Sequence, residues 1–229
     1  MYELIVFDLD GTLIDSAPDI AAALNSILAD CGLATHTEEM IRRMIGSGVV
    51  ELVRRALVAS GAPTSDERKL VELAKAFRAQ YATHLLDRTA LYPEVEKTLS
   101  ALSQRKAIAT NKPGAVARQI VEKLGIAPHF FAVLGEDDVG KTKPDPRIVD
   151  EIVSRAKVDR ERVLFVGDSA VDMETAENAN VDLCLVSYGY GDSQAIAAAG
   201  LRRKPKFVID RFELLPLALG RRQSANQTL

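Results

Sequence analysis

Two aspartates one residue apart, Asp8 and Asp10, follow the apolar run 5–7 near the start of the chain. Such a run is typical of a buried strand, and burying either carboxylate is costly unless an opposite charge compensates it. A strand that reaches solvent and turns at Gly11 would explain the pattern without any chemistry, because Asp and Gly are common turn residues. The residues at the ends of the other predicted strands decide whether the aspartate pair belongs to a functional site or only to a turn.

Three later apolar runs also end in polar residues. Thr110 and Asn111 follow the run "KAIA", Lys143 lies in the segment after "FFAVL", and Asp168 and Asp172 follow "VLFV". Taken singly, these residues would form a helix cap, a solvated loop and a capped turn. Ligands of open parallel sheets bind beyond the carboxyl ends of the strands, so all these ends would meet at one place. We therefore predict a single functional site along this edge.

The residue types at this edge suit the transfer of a phosphoryl group. Carboxylate oxygens are ligands that Mg²⁺ prefers, and a calcium-binding EF-hand is rejected because a strand precedes the first aspartate pair. Thr110 brings a hydroxyl close to a predicted helix N-terminus, which favours anions, and Lys143 adds a positive charge. Phosphoryl transfer depends mainly on positioning and on neutralising the phosphoryl oxygens. The predicted metal ligands are Asp8, Asp10, Asp168 and Asp172.

The segment from Asp15 to Ala90 shows only helical periodicity and predicts a small helical bundle. Starts and stops follow the usual capping signals. The first helix would begin at Ser16 and stop at Gly32, the second would run from Thr37 to near Gly46, the third would stop at Gly61, and a capping box at Thr64 and Glu67 would open the fourth.

Outside this block, short apolar runs alternate with predicted helices. The runs are "LIVFDL", "KAIAT", "FFAVL", "RVLFVG", "DLCLVS" and "KFVID", and the helices begin at Glu94, Pro113, Pro146, Ala170, Ser193 and Phe212. Apolar strands separated by helices indicate a parallel sheet covered on both faces. The predicted fold is therefore α/β: a Rossmann-like doubly wound parallel sheet core of residues 1–14 and 91–220, an inserted α-helical cap domain of residues 15–90, and a C-terminal tail of residues 221–229.

Composition and charge narrow the class of protein. The chain has 229 residues, 47% of them hydrophobic and 27% charged, and a net charge of −3, so neither nucleic acid nor a membrane is expected as a partner. Its two cysteines, Cys31 and Cys184, are too few for a disulfide framework and suit a reducing compartment. Because the sequence has no membrane-length apolar run and no secretory pattern, we expect a cytoplasmic protein. The sequence leaves the oligomeric state open, including a homodimer.

The four strand-end motifs resemble those of the haloacid dehalogenase-like superfamily, and most closely its phosphoglycolate phosphatase branch. They read "FDLDGTL", "IATNKP", "KPDP" and "GDSAVD", and the segments "LYPEVEKTLSAL" and "SYGYGD" are similar to that branch as well. The helical block is similar to the α-helical cap of the family. Asn180 stands where the family pattern leads us to expect glycine, although asparagine also tolerates a left-handed helix end.

The resemblance implies a role for each catalytic motif. Asp8 would be the nucleophile and would form an aspartyl-phosphate. Asp10 would protonate the departing alkoxide and then deprotonate the attacking water. Thr110 and Lys143 would hold the transferred phosphoryl group.

The resemblance also implies the metal and substrate positions. Asp8, the main-chain carbonyl of Asp10 and Asp168 would bind Mg²⁺. Asp172 would support that set of ligands. A separate prediction comes from the residues themselves: the loop Gly46-Ser47-Gly48 between the second and third predicted helices, called the cap loop below, would close over the site and contact the organic part of the substrate, because its two glycines allow the backbone to approach a ligand closely. The remaining positions predicted to bind phosphate or substrate are Gly11, Thr12, Asn111, Gly46, Ser47 and Gly48.

The predicted function is a Mg²⁺-dependent phosphatase for a small phosphorylated metabolite, with 2-phosphoglycolate as the best candidate. A sugar-phosphate mutase of the same superfamily and a pyrophosphatase stay open as alternatives. A dehalogenase is disfavoured because its chemistry has no use for Asp10 or a metal. A binding module without activity is disfavoured because all the expected polar residues are present. Four arginines flank the cap loop, and none is assigned to the substrate: Arg42, Arg43, Arg54 and Arg55.

Overall fold

The computed structural model describes residues 1–192, 200 and 203–220 of the chain. Its strands are β1 (Leu4–Phe7), β2 (Ile14–Asp15), β3 (Ala90–Leu91), β4 (Arg105–Ala109), β5 (Ala132–Leu134), β6 (Val163–Gly167), β7 (Asp182–Val186) and β8 (Phe207–Ile209). Six of them form a parallel sheet in the order β5-β4-β1-β6-β7-β8, and β2 pairs with β3 in an antiparallel ribbon. The predicted α/β fold with a parallel sheet is confirmed.

The central position of β1 follows from its composition. All four of its residues are buried, Leu4 and Val6 in the apolar cluster on one face of the sheet and Ile5 and Phe7 in the cluster on the other. Burying one such side chain contributes about 1.5–3 kcal/mol to folding. The register places Phe7 opposite Ile108 of β4 and Val166 of β6. The residues that directly follow β1, β4 and β6 therefore lie next to one another at the same edge of the sheet.

Helices cover both faces of the sheet, as predicted. They are α5 (Val95–Ala101), α6 (Gly114–Lys123), α7 (Glu136–Val139), α8 (Arg147–Ala156), α9 (Ala170–Asn178) and α10 (Leu215–Gly220). Four of them begin at or next to a predicted start, whereas α10 is preceded by a short 3₁₀ helix from Phe212. The short helix α7 lies in a segment for which we predicted no helix. The helix expected from Ser193 and the predicted tail 221–229 lie outside the described residues.

The helical insert consists of α1 (Ala17–Asp30), α2 (Glu38–Arg42), α3 (Val49–Ala59) and α4 (Glu67–Thr83). Helix α1 packs against α2 and α4, and α3 packs against α4. The Thr37 hydroxyl caps α2 by accepting a hydrogen bond from Met40 N, but α2 ends at Arg42 and does not continue to near Gly46.

The predicted capping box at Thr64 is wrong. Helix α4 is capped by Asp66, whose carboxylate accepts hydrogen bonds from Arg68 N at 3.0 Å and Lys69 N at 3.2 Å. A carboxylate directly before the helix satisfies two of its free N–H groups and opposes the helix dipole, so it replaces the threonine in this role.

The two connections between the insert and the sheet lie side by side. In the β2–β3 ribbon, Ile14 pairs with Leu91 and Asp15 pairs with Ala90. Next to it, the buried carboxylate of Asp19 accepts hydrogen bonds from the main-chain N–H groups of residues 88 and 89. These contacts hold the start of α1 against the segment that returns from the insert to the sheet. The domain boundaries at residues 14–15 and 90–91 stay a prediction. Within the described residues, no helix is long and apolar enough to cross a membrane.

Candidate active site

Asp8 lies at the carboxyl end of β1, between the ends of β4 and β6. Its main-chain N–H donates to Val166 O at 2.8 Å, and its side-chain Oδ1 lies 2.7 Å from Lys143 Nζ. Burial raises the pKa of the Asp8 carboxyl to about 7, with Lys143 opposing the shift and Asp172 adding to it. A single lysine therefore does not compensate the negative charge at this position.

Lys143 lies between two buried carboxylates. Its ammonium is 2.7 Å from Asp8 Oδ1 and 2.7 Å from Asp172 Oδ1, and its side chain is 1% exposed. Burial alone would lower the pKa of this lysine, but Asp172 and Asp8 hold the pKa above its ordinary value. The lysine is therefore a fixed positive charge between the first and the last aspartate of the site.

Asp172 is fixed by the start of α9. Its Oδ2 accepts hydrogen bonds from Asp168 N at 3.1 Å, Ser169 N at 3.0 Å and the Ser169 hydroxyl at 2.7 Å. A side chain on Gly167 would have its Cβ 2.4 Å from Asp172 Cγ, so only glycine fits at this strand end. With Lys143 on its other oxygen, Asp172 has hydrogen-bond partners on both carboxylate oxygens.

Asp168 is held by two loops. Its Oδ2 accepts from Tyr190 N at 2.6 Å and from Gly191 N at 3.2 Å, and its Oδ1 accepts from the Thr12 hydroxyl at 3.2 Å. Gly11 has a φ of +86°, and a Cβ there would lie 2.5 Å from Asp168 Oδ2. Burial, together with Asp172 and Asp8, raises the pKa of the Asp168 carboxyl well above its usual range. Gly11 and Thr12, which we predicted to bind phosphate, thus position this aspartate.

The three buried aspartates fit a divalent cation. Asp8, Asp168 and Asp172 each offer a carboxylate oxygen, and these oxygens lie within 4.8 Å of one another. Hard oxygen ligands of this kind suit Mg²⁺. The raised pKa values of the Asp8 and Asp168 carboxyls reflect burial and mutual repulsion that one lysine does not cancel. A cation at this position would remove that repulsion and stabilise the ionised forms.

Asp10 has its own pair of partners. Its Oδ1 accepts a hydrogen bond from the Ser16 hydroxyl, and its Oδ2 lies 3.2 Å from the ammonium of Lys112. The same ammonium donates to the Tyr81 hydroxyl at 3.0 Å. Burial alone would lower the pKa of Lys112, but Asp10 and Tyr81 raise it above the ordinary value. Asp8 and Asp10 are thus paired with different lysines, in spite of their spacing in the sequence.

A cavity of about 150 Å³ lies between the helical insert and the sheet edge. Both Asp8 and Asp10 line it, together with Thr110 and Lys112. The rest of its wall is mainly apolar and comes largely from the insert. The apolar lining residues are Ile20, Ile45, Val49, Leu52, Phe77, Pro113 and Val116.

The other predicted substrate positions divide into two groups. Gly46, Gly48 and Asn111 line the cavity. Ser47 is not one of the lining residues, and its hydroxyl accepts a hydrogen bond from Arg55. The Asn111 amide is engaged at both ends, since Nδ2 donates to Gly46 O at 2.9 Å and Oδ1 accepts from Lys143 N at 2.7 Å. Asn111 thus connects the cap loop with the loop that carries Lys143. Direct phosphate binding by Gly46, Ser47, Gly48 and Asn111 stays a prediction.

The four arginines that flank the cap loop bind carboxylates of the protein. Arg42 makes two hydrogen bonds to Asp15 at 3.0 and 3.1 Å. The Tyr190 hydroxyl donates to the same carboxylate at 2.9 Å, and Tyr190 N binds Asp168. The other three arginines form salt bridges with glutamates: Arg43 with Glu39, Arg54 with Glu51 and Glu67, and Arg55 with Glu51.

Sequence reasoning assigned no role to Lys112, Tyr81 or Tyr190. Lys112 had a usable signal, because it directly follows Asn111 in the motif "IATNKP". Tyr81 had none, since it occupies an apolar position of the helical stripe in α4. Tyr190 lies in "SYGYGD", a segment that resembles the branch but carries no chemical pattern of its own.

Comparison with known proteins agrees with this geometry. The family model described as haloacid dehalogenase-like hydrolase matches residues 5–186. The phosphoglycolate phosphatase of Cereibacter sphaeroides is 42% identical over 189 residues, which cover 81% of this chain and 85% of the relative. That of Mesorhizobium japonicum is 35% identical over 222 residues, covering 96% and 95%.

A solved structure extends the likeness to the fold. The crystal structure of a predicted phosphoglycolate phosphatase from Haemophilus somnus superposes with a TM-score of 0.85 at 31% identity and covers 95% of this chain and 98% of its own. The strand-end motifs, the buried aspartate cluster and the helical insert all lie within the part of the chain that these comparisons cover. The chain belongs to the haloacid dehalogenase-like hydrolase family.

Proposed function

We propose that this protein is a Mg²⁺-dependent phosphatase that hydrolyses 2-phosphoglycolate through an aspartyl-phosphate on Asp8. By homology it is a phosphoric monoester hydrolase of the phosphoglycolate phosphatase kind. One observation supports the mechanism most directly: Asp8 and Asp10 line one small cavity but contact different lysines, so the two carboxylates have different surroundings. Two carboxylates in different surroundings can take different chemical roles.

In the first step, a carboxylate oxygen of Asp8 attacks phosphorus, and the bond from phosphorus to the ester oxygen breaks. Asp10 gives its proton to that oxygen as it leaves, which yields glycolate. Thr110, in the cavity wall, offers a hydroxyl for the phosphoryl oxygens, and Lys143 keeps its positive charge beside Asp8. Position and charge neutralisation account for most of the rate in such a transfer.

In the second step, water attacks the phosphorus of the aspartyl-phosphate. Asp10, now ionised, takes a proton from this water, and inorganic phosphate leaves as Asp8 is restored. Mg²⁺, held by Asp8, Asp168 and the main-chain carbonyl of Asp10, would supply positive charge near the phosphoryl oxygens if bound there. Asp172 would keep Lys143 and the loop at residues 168–169 in place.

The cavity supports a small substrate. Its volume of about 150 Å³, between the insert and the sheet edge, suits a small ester in this arrangement of the insert. The curated relatives from Cereibacter sphaeroides and Mesorhizobium japonicum are named phosphoglycolate phosphatases, which supports the same substrate.

A panel of phosphate esters tests the proposal. We would measure kcat/KM for 2-phosphoglycolate, hexose phosphates, pyrophosphate and nucleoside monophosphates, with Mg²⁺ and with excess chelator. We expect the highest value for 2-phosphoglycolate and no turnover with chelator. Asp8→Asn is the control, because it keeps the size of the side chain and removes the nucleophile.

Other outcomes would identify the alternatives. Conversion of a hexose 1-phosphate into a hexose 6-phosphate without release of phosphate would indicate a mutase. A preference for pyrophosphate would indicate a pyrophosphatase. Turnover that is undiminished by chelator, or that persists in Asp8→Asn, would contradict the proposed mechanism whatever the substrate.

A further inference from the structure

Lys112 and Tyr81 form a pair of buried polar groups in the cavity wall, one from the sheet edge and one from the insert. Their side chains are nearly inaccessible to solvent: Lys112 is 7% exposed and Tyr81 5%. The ammonium donates to the Tyr81 hydroxyl at 3.0 Å and lies 3.2 Å from Asp10 Oδ2. The pair is therefore directly beside the aspartate that is proposed to protonate the leaving oxygen.

Both groups have an unused hydrogen-bond donor. An ammonium has three N–H donors, and within the described residues the Lys112 ammonium has two partners, the Tyr81 hydroxyl and Asp10. The Tyr81 hydroxyl accepts from Lys112, so its own hydrogen stays available, and no acceptor for it occurs in the described part of the chain. Buried donors normally have partners, so two unused donors on one cavity wall indicate a bound acceptor.

The position of the pair selects the kind of acceptor. If Asp10 contacts the ester oxygen, a carboxylate carbon two bonds from that oxygen lies next to Asp10, on the side of the cavity where Lys112 is found. Two neighbouring donors, one of them charged, suit the two oxygens of a carboxylate. The apolar remainder of the wall suits the single methylene group that separates the carboxylate from the ester oxygen in 2-phosphoglycolate.

We propose that Lys112 Nζ and the Tyr81 hydroxyl form a subsite for a substrate carboxylate on the carbon next to the ester oxygen. The substrate class is then the phosphate esters of 2-hydroxy acids. This inference rests on the proposed function and deepens it, because it assigns residues to the substrate preference. Since Tyr81 belongs to α4 of the insert, the subsite is complete only when the insert packs on the sheet edge as it does here.

Arg78 also lines the cavity and is positively charged, so it can be compared with Lys112. Its guanidinium lies 3.6 Å from Glu136 Oε1, and its side chain is 41% exposed. Arg78 is thus solvated and already has a carboxylate partner, and among the described residues no contact joins it to Asp10. Arg78→Met therefore serves as the matched control for the loss of a cavity cation.

The experiment compares two esters that differ in one charged group. 2-Phosphoglycolate and ethyl phosphate have the same chain length up to the second carbon, which is a carboxylate in the first and a methyl group in the second. We would measure kcat and KM for both esters with the wild type, Tyr81→Phe, Lys112→Met and Arg78→Met. Tyr81→Phe keeps the ring that lies 4.6 Å from the Lys112 ammonium and removes only the hydroxyl, which is the proposed donor to the substrate and also accepts from Lys112.

We expect Tyr81→Phe to lower the ratio of kcat/KM for 2-phosphoglycolate over ethyl phosphate by about tenfold or more, mainly through KM, the size expected for a hydrogen bond to a charged group. Lys112→Met lowers the rate with both esters, because Lys112 also holds the Asp10 side chain in place, and it lowers the ratio as well. Lys112→Arg restores part of the ratio. Arg78→Met leaves the ratio near the wild-type value. Glycolate, which has the carboxylate but no phosphate, inhibits Tyr81→Phe less than the wild type.

Four results would overturn the subsite, and the fourth would overturn the proposed substrate as well. Equal losses for the two esters in both Tyr81→Phe and Lys112→Met would mean that the pair only positions Asp10. A selective loss for 2-phosphoglycolate in Arg78→Met would move the carboxylate to Arg78. A wild-type preference for 2-phosphoglycolate that survives in both variants would refute the subsite and leave the proposed function intact. Equal kcat/KM values of the wild type for the two esters would instead refute the proposed substrate, and the subsite with it.

Discussion

Lys143 and Asp172 form a buried ion pair, with 2.7 Å between Nζ and Oδ1 and with side chains that are 1% and 0% exposed. The same ammonium also contacts Asp8, so one lysine joins the end of β1 to the start of α9. Removing one member of such a pair leaves a buried charge without compensation. We therefore expect this lysine to contribute to stability as well as to the proposed chemistry.

The first prediction concerns this lysine. Lys143→Met should lower the free energy of unfolding by about 3–5 kcal/mol, because Asp8 and Asp172 lose the cation that both contact, and activity should be lost. Urea unfolding of the metal-free protein, with a chelator present, measures this free energy. Lys141→Met is the control, since Lys141 is exposed and lies two positions away. Equal stabilities of the two variants would contradict the importance of the buried pair.

The second prediction concerns pH and Mg²⁺. Burial raises the pKa of Asp8 from 3.8 to about 7, so between these pH values the folded, metal-free protein keeps a proton that the unfolded chain releases. Stability falls with rising pH wherever the folded state binds more protons, and Asp168 adds a contribution of the same sign. Tm of the chelated protein should therefore fall as the pH rises from about 4 to about 7.

Mg²⁺ favours the ionised carboxylates, so it should raise Tm more at pH 8 than at pH 5. Asp8→Asn serves as the comparison, because the variant lacks one of the two titrating groups and should show a shallower fall of Tm with pH. Thermal melts with chelator or Mg²⁺ at the two pH values provide the data. A pH profile of Asp8→Asn that matches the wild type would show that Asp8 titrates normally in the metal-free protein.

The third prediction concerns a glycine that lies against Asp168 of the buried aspartate cluster. A Cβ on Gly189 would lie 2.3 Å from Gly11 O and 2.4 Å from Asp168 Cβ, and neither atom belongs to a flexible chain end. Gly189→Ala should therefore displace Asp168 and raise the Mg²⁺ concentration for half-maximal activity by about 10–100-fold, the usual effect of a change behind a metal ligand. Gly220→Ala is the control, because nothing lies within 4 Å of its Cβ position. Equal Mg²⁺ requirements would refute the steric explanation.

The sheet and its functional edge could be predicted because both depend on local patterns. Strands buried on both faces, such as β1, read as unbroken apolar runs, and parallel strands place their carboxyl ends at one edge. The motif residues Asp8 and Asp168 could therefore be assigned to one site before any contact was known. A residue just after the end of α9 was also predictable from a local pattern. Asn180 has a φ of +55°, the left-handed conformation that asparagine tolerates at a helix end.

The cavity wall could not be predicted, because it depends on how the insert packs against the sheet edge. Helical periodicity places Tyr81 on the buried stripe of α4, but it does not specify that the hydroxyl meets Lys112. The missed helix α7 has only four residues, too few for a periodic signal. The error at Thr64 has another cause, since a threonine and an aspartate near one helix start compete for the same N–H groups and the pattern does not rank them.

The last prediction separates the roles of Asp8 and Asp10. An aryl phosphate expels a weakly basic phenolate and hardly needs the acid, but hydrolysis of the aspartyl-phosphate still needs the base. Asp10→Asn should therefore release about one phenolate per enzyme from such an ester and then stall, the burst that marks a covalent intermediate. Asp8→Ala should show no burst. Stopped-flow absorbance of the phenolate against the enzyme concentration measures both.

The structure adds a reason to expect this separation, because Asp10 is held by Ser16 and Lys112 whereas Asp8 is held by Lys143. Asn at position 10 can keep the hydrogen bond from Ser16, so loss of structure should not imitate loss of the base. With an alkyl phosphate, whose alkoxide needs protonation, Asp10→Asn should fail at the first step and accumulate no phosphoenzyme. A burst from Asp8→Ala, or free turnover of the aryl ester by Asp10→Asn, would show that the two roles are assigned wrongly.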